Sequence, residues 1–248
     1  MTVNFKSSSG VLEIPYYKLV ILGPREVGKS QIIKRFCSET FEHDYYPSYF
    51  LDFRVKKIYD EGQKETSEIQ IIEIAGNNYQ LKYEEDDEDN DQNEYYTENR
   101  VEDEKIIQEA LLESEAVIMV YDVAKKNSLK ELEEIMKVSI TDIPDKKGKI
   151  WCLIGNKNDI KDKQFKSHEG WEKVIRLKDT YGMDCEFFEI SALCNKDNEI
   201  GEIIQTIIKK IKDKREKSPK DNSNDKTKGI KTPIEAPEYK LLNNCDII

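Results

Sequence analysis

The amino-acid sequence predicts an α/β fold, a mostly parallel central sheet with helices on both faces. Three observations carry that prediction. Short, nearly continuous apolar runs recur at 17–22 (YKLVIL), 116–121 (AVIMVY) and 150–154 (IWCLI), the composition of strands buried on both faces. Stretches with apolar residues at helical spacing fall between them, which calls for crossover helices and parallel pairing. Each buried run ends in a glycine-rich or polar motif, and open sheets of this class gather their active groups at the carboxyl ends of their strands.

Taken in order, the first run leads directly into GPREVGKS at 23–30, and Ile32, Ile33 and Phe36 follow at helical spacing, so the chain reads strand, loop, helix. Segments 53–58 (FRVKKI) and 68–74 (EIQIIEI) flank DEGQK at 60–64, the pattern of a hairpin. A helical pattern resumes with Ile106, Ile107, Ala110 and Leu111. After the strand at 116–121, Ser128-Leu-Lys-Glu131 has the form of a capping box, with Leu132, Ile135 and Met136 on one helical face. The strand at 150–154 ends in GNKND at 155–159. A helix over about 167–181 stops at Gly182, a C′ residue, before a last strand at 186–190 (EFFEI) and a last helix over 200–211. The expected organisation is an N-terminal extension over 1–15, one domain over 16–213 with an acidic insert at about 82–104, and a tail over 214–248. That tail is rich in Lys, Ser, Asn and Pro and is expected to be disordered.

Composition narrows the function. The chain has 248 residues, 38% hydrophobic and 36% charged, with a mean hydropathy of −0.73. That suits one well-cored domain with polar appendages. No apolar run reaches membrane-spanning length, and the N-terminus lacks the apolar core of a signal peptide, so a cytosolic chain is expected. Cys37, Cys152, Cys185, Cys194 and Cys245 show no CxxC spacing and read as reduced thiols, with Cys152 and Cys37 as core filler. His43 and His168, the two histidines, sit in no triad or zinc pattern. Phosphate chemistry is what remains. The net charge of −11 is concentrated: positions 84–104 hold twelve acids against Arg100 alone, so the rest of the chain is neutral. No basic face for nucleic acid follows from such a distribution.

GxxxxGKS at 23–30 is a phosphate cradle. Its glycines, Gly23 and Gly28, permit a tight backbone whose N–H groups point at phosphate oxygens. Lys29 supplies a cation to the β- and γ-phosphates, and the Ser30 hydroxyl suits Mg²⁺. With a second motif, NKND at 156–159, behind a later buried strand, the sequence resembles a Ras-like small GTPase. The resemblance covers roughly 16–212 apart from the acidic insert, and implies the small G-protein version of the P-loop fold with GTP/GDP and Mg²⁺ as ligands. It places Gly23, Arg25, Glu26, Val27, Gly28, Lys29, Ser30 and Gln31 around the phosphates. It also assigns Asp159 to the guanine ring N–H and amino group, Asn156 to bracing the phosphate loop, and the Lys157 stem to the base. EISA at 189–192 resembles the family's last base-contacting loop through Ser191 and Ala192, with Leu193 where Lys is usual.

The switch elements depart further from the family. Ser48 in YPS at 46–48 stands at the Mg²⁺-binding Thr, and Phe41 stands where an aromatic stacks on guanine. In EIAGN at 73–77, Glu73 replaces the Asp that reaches Mg²⁺ through water, and Gly76 keeps the backbone N–H that senses the γ-phosphate. Asn77 replaces the catalytic Gln and is a short positioner of the attacking water. Arg25 stands where Gly is usual, in the space an activating protein's arginine finger enters. These changes imply slow GTP hydrolysis and a switch that stays on for a long time, signalling to effector proteins and served by an exchange factor and a GTPase-activating protein. The alternative is a binding-only pseudo-GTPase, constitutively GTP-bound, acting as a scaffold.

Two appended features complete the reading. The acidic segment just after the second switch reads as a solvated, unfolded insert that selects partners by charge. The terminal Cys245-Asp-Ile-Ile248 resembles a prenylation signal, and Lys209, Lys210, Lys212, Lys214, Arg215, Lys217 and Lys220 lie upstream. Together they imply a lipid on Cys245 aided by basic residues, and residence at the cytoplasmic face of a membrane, the plasma membrane in particular.

Overall fold

A computed structural model describes residues 14–42, 51–60, 64–76, 105–140 and 143–217. Six strands form one sheet: β1 (Tyr16–Leu22), β2 (Leu51–Asp60), β3 (Glu65–Ile74), β4 (Ala116–Asp122), β5 (Ile150–Asn156) and β6 (Cys185–Glu189). Their spatial order is β2-β3-β1-β4-β5-β6, with only β2 antiparallel to its neighbour. The helices are α1 (Lys29–Ser38), α2 (helical over 105–113), α3 (Ser128–Ile140), α4 (Ser167–Tyr181) and α5 (Glu199–Lys217).

Alternation along the central strands makes two cores. Val20 and Leu22 of β1, with Val117, Met119 and Tyr121 of β4, face α2, α3 and α4. Tyr17, Leu19 and Ile21, with Ala116, Ile118 and Val120, face α1 and α5. Every residue of β4 and β5 is buried, so these strands carry no polar face and read as unbroken apolar runs. The expected mostly parallel sheet with helices on both faces is the observed architecture. Because β1, β3, β4, β5 and β6 run in parallel, their carboxyl ends and the loops that follow all lie at one edge of the molecule.

The expected hairpin is present but longer, with Leu51 opposite Ile74 and Asp60 opposite Glu65. Gly182 ends α4 at φ +66, donating its N–H to Leu177 O and Lys178 O. Two expectations are corrected. Ser128 does not cap α3 as the first residue of a capping box. It is the first helical residue, and its hydroxyl donates to Asp122 O at 2.7 Å and accepts from Asp122 N at 3.0 Å, latching the helix onto the end of β4. Nor does the ordered chain end at 213, since α5 continues through Lys217. Its last turn is held from the side. Lys214 Nζ donates to Lys147 O and Lys149 O, while Arg215 grips Glu115 at 2.6 Å and Tyr16 O at 2.8 Å. Apolar periodicity cannot register such contacts. Cys152 and Cys185 are buried and Cys37 is half-buried against the core. The acidic insert, the expected disordered tail beyond 217 and the first thirteen residues lie outside the described residues.

Trp151 is fully buried, with Nε1 donating to Lys146 O at 2.7 Å, whereas Trp171 is 54% exposed and meets Phe187 in an edge-to-face contact. Trp151→Ala should therefore lower unfolding free energy by about 3–5 kcal/mol, and Trp171→Ala by about 1 kcal/mol. Urea denaturation followed by circular dichroism measures both.

Candidate nucleotide-binding site

The loop between β1 and α1 is shaped by two backbone positions that exclude side chains. Gly23 has φ +152, and a Cβ there would lie 2.3 Å from Val120 O. Gly28 has φ +93, and a Cβ would lie 2.3 Å from Asn156 Nδ2. Gly28 caps α1 without a side-chain hydrogen bond, and the first turn carries no acid. The helix therefore leaves its N–H groups and the positive end of its dipole for an external anion. Lys29 is buried, its ammonium donating to Gly23 O at 2.9 Å and Pro24 O at 2.8 Å. Burial pulls its pKa down from 10.5 to about 8, opposed by the negative charge of Glu73. An ammonium that holds only loop carbonyls in so dry a place is primed to gain an anion.

The second switch meets this loop from β3. Ser30 Oγ donates to Glu73 Oε1 at 2.8 Å. Gly76 is buried against the loop backbone, where a Cβ would sit 2.5 Å from Arg25 N and 2.7 Å from Pro24 C. Ammonium, hydroxyl and carboxylate thus converge at the head of a helix. A hard divalent cation takes oxygen donors of this kind, so Ser30 and Glu73 fit the Mg²⁺ that the sequence implies. Arg25 and Glu26 are exposed, Glu26 at φ +64, and Val27 is fully buried. Gln31 Oε1 accepts from Glu42 N at 3.0 Å.

The base side is assembled by Asn156, at the end of β5 and almost wholly buried. Its Nδ2 donates to Val27 O at 2.8 Å and its Oδ1 accepts from Ala192 N at 3.0 Å, tying the phosphate loop to the 191–193 loop. Asp159 is exposed, with Oδ1 fixed by Ser191 Oγ at 2.5 Å, and Ser191 Oγ in turn accepts from Cys194 N. Leu193 is 43% exposed. The two side chains expected against the base also have partners within the protein. Lys157, at φ +66, places its ammonium 2.8 Å from Asp122 Oδ2. Phe41 packs on the α1–α5 core with the Arg35 guanidinium 5.3 Å above its ring.

Ser48, Asn77 and Cys245 lie outside the described residues. The basic cluster upstream of Cys245 is largely engaged. Lys210 contacts Glu186, Lys212 is 3.6 Å from Asp60, and Lys214 and Arg215 hold the strand ends. The anionic-surface patch expected there is correspondingly reduced. Among the described residues no helix is long and apolar enough to cross a membrane. Sequence reasoning passed over Asp122, which holds Lys157, and Arg35, which reaches the 191–193 loop. Neither belongs to a short motif, and both act across long sequence separations.

A strand–loop–helix phosphate cradle, facing a carboxylate and joined through a buried amide to an acid-bearing loop, defines a purine-nucleotide-binding P-loop protein. The Ras family model matches residues 18–86 and 101–213, which is most of the chain, and the chain belongs to the Ras family. The interruption between the matched stretches falls within the acidic insert. Among curated relatives, Ras-related protein RabC of Dictyostelium discoideum is 27% identical over 198 residues, covering 79% of this chain and 83% of its own length. The protein is accordingly a small GTP-binding protein.

The state of Lys29 sets a pH dependence. Its folded pKa, about 8, lies below the ordinary 10.5. Below pH 8 the lysine is charged in both folded and unfolded chains. Between about 8 and 10.5 only the unfolded chain keeps the proton, so stability of the nucleotide-free protein rises with pH across that window. A bound polyphosphate favours the charged form, so binding takes up a proton. GDP affinity should fall above pH 8, by up to about tenfold per pH unit. Titration of fluorescent GDP from pH 7 to 9.5 reads this out.

Proposed function

We propose that the protein is a slow, Mg²⁺-dependent GTPase switch that signals through the effectors its GTP form engages. The observation that carries the reading is the Asn156 bridge, because one residue holds phosphate loop and base loop at a fixed separation. Asp159, held by Ser191, accepts from the guanine ring N–H and amino group. Lys157 lies beside the base, Ala192 and Leu193 close its edge, and Phe41 supports it. At the other end Lys29 exchanges its loop carbonyls for β- and γ-phosphate oxygens, helped by the N–H groups at the head of α1. Ser30 and Ser48 would ligate Mg²⁺ directly and Glu73 through water. Bound there, Mg²⁺ neutralises charge across the phosphates.

Hydrolysis is attack of water on the γ-phosphorus, with cleavage of the bond to the bridging oxygen, which leaves on GDP. Gly76, close against the phosphate loop, offers its N–H to the γ-phosphate. Asn77 positions the water. Its amide is one methylene shorter than the family's Gln, and Arg25 occupies space that an external arginine enters. Intrinsic rates in such enzymes are about 10⁻⁴ s⁻¹ and an arginine finger supplies up to about 10⁵-fold, so a protein weakened at both points remains GTP-bound for hours. An exchange factor then governs activation, and a GTPase-activating protein governs shut-off.

The reading extends to a lipid on Cys245 and peripheral residence at the cytoplasmic face of a membrane. Since four residues of the basic cluster are bound to the protein's own surface, the lipid carries most of that attachment.

Single-turnover chromatography of GTP-loaded, Mg²⁺-supplemented protein tests the proposal. Slow conversion to bound GDP is expected, with a several-fold faster rate in Asn77→Gln. GTP that stays bound and uncleaved in both proteins would transfer the assignment to a binding-only scaffold. Preferential retention of ATP would overturn the guanine reading.

A further inference from the structure

Arg35 of α1 hydrogen-bonds across to the base loop. Its Nε donates to Ala192 O at 2.9 Å and its Nη2 to Leu193 O at 2.7 Å. The third nitrogen, Nη1, donates to Glu39 O at 3.0 Å, and the guanidinium plane lies 5.3 Å from the centre of the Phe41 ring. A planar fork with donors in fixed directions is suited to holding several carbonyls at once. The Ala192 peptide is therefore gripped on both sides, its N–H by Asn156 and its C=O by Arg35.

We propose that Arg35 is a positioning residue for nucleotide retention, a clamp that fixes the 191–193 loop and the chain leading to Phe41 against α1 and so slows release of the guanine base. The inference rests on the guanine-binding reading above. It adds a determinant on a helix otherwise concerned with phosphate. The four contacts join the two segments that flank the base, the Glu39–Phe41 stretch entering the first switch and the Ser191–Leu193 loop. Neither segment has regular structure of its own at these positions. Without the guanidinium the Ala192 and Leu193 carbonyls turn to water, Ser191 loses its fixed frame, and Asp159 loses the partner that orients it. The Gly23, Lys29 and Ser30 contacts do not involve Arg35 and persist. The predicted defect is therefore in base recognition, with phosphate binding intact.

The test uses the full-length chain loaded with methylanthraniloyl-GDP in Mg²⁺ and chased with unlabelled GDP. Arg35→Ala should release nucleotide faster by about tenfold to a hundredfold. Arg35→Lys, which keeps the charge but lacks the planar fork that spans Glu39 O, Ala192 O and Leu193 O together, should fall between Arg35→Ala and the unmodified protein. Arg215→Ala removes a comparable forked contact at the opposite, amino ends of the strands and is the control for general loosening; its release rate should match the unmodified protein. The second readout is the preference for GDP over IDP, which lacks the amino group that Asp159 reads. That ratio should shrink in Arg35→Ala and stay unchanged in Arg215→Ala. Equal acceleration in the two alanine variants, or faster release with the GDP/IDP preference intact, would overturn the clamp. Unmodified protein that retains no guanine nucleotide would overturn the parent reading, and the clamp with it.

Discussion

Two hydrogen bonds from the amide of Asn156 join halves of the pocket that are far apart in sequence. An amide suits this place because Val27 presents an acceptor and Ala192 a donor, and Asn or Gln offers both on one small rigid group at any pH. The shorter of the two suits a residue at the last position of a fully buried strand, where the side chain must turn directly into the gap between loops. Its presence dictates its neighbours. Gly28 has no room for a Cβ beside Nδ2, and that same glycine starts α1 and aims the helix at the phosphates. Geometry at the phosphate end and at the base end is thus one constraint.

The phosphate end is electrostatically unfinished. A lysine as deeply buried as Lys29 ordinarily has a carboxylate in hydrogen-bond contact; here two backbone carbonyls occupy it, and Glu73 Oε1 accepts from Ser30. Desolvation outweighs the attraction of Glu73. The positive end of the helix and the buried ammonium suit one kind of ligand. This is the sort of local stress that functional sites retain while the surrounding core, here two apolar layers, sustains it.

Most of the fold was legible because local sequence and tertiary role agree. The apolar runs of β1, β4 and β5 are buried on both faces, and Gly182 ends its helix in the left-handed conformation that glycine favours. The places of the 23–28 and 157–159 loops at strand ends were legible for the same reason, since a motif such as GPREVGKS is a contiguous solution to one local problem. What escaped was non-local. Ser128 has every local mark of an N-cap, yet Asp122 offers its hydroxyl a better-ordered pair of partners. Arg35 looks like any cation in a helix's last turn until the chain 157 residues on is folded against it. Lys157 sits in a base-reading motif and still has its ammonium at Asp122.

The end of α5 has a mechanical consequence. Lys214 and Arg215 fasten it to the residues at which β1, β4 and β5 begin, while the nucleotide loops lie where those strands finish. A seven-residue strand such as β1 spans about 23 Å, so the last turn of α5 is a full strand's length from the pocket. Any load borne by the last thirty-one residues enters the domain through the root of its most buried strands, behind the switches rather than across them. A tether attached there can pull, drag or confine the molecule without levering open the guanine pocket. It also leaves the opposite pole, where the nucleotide loops lie, turned away from any such attachment.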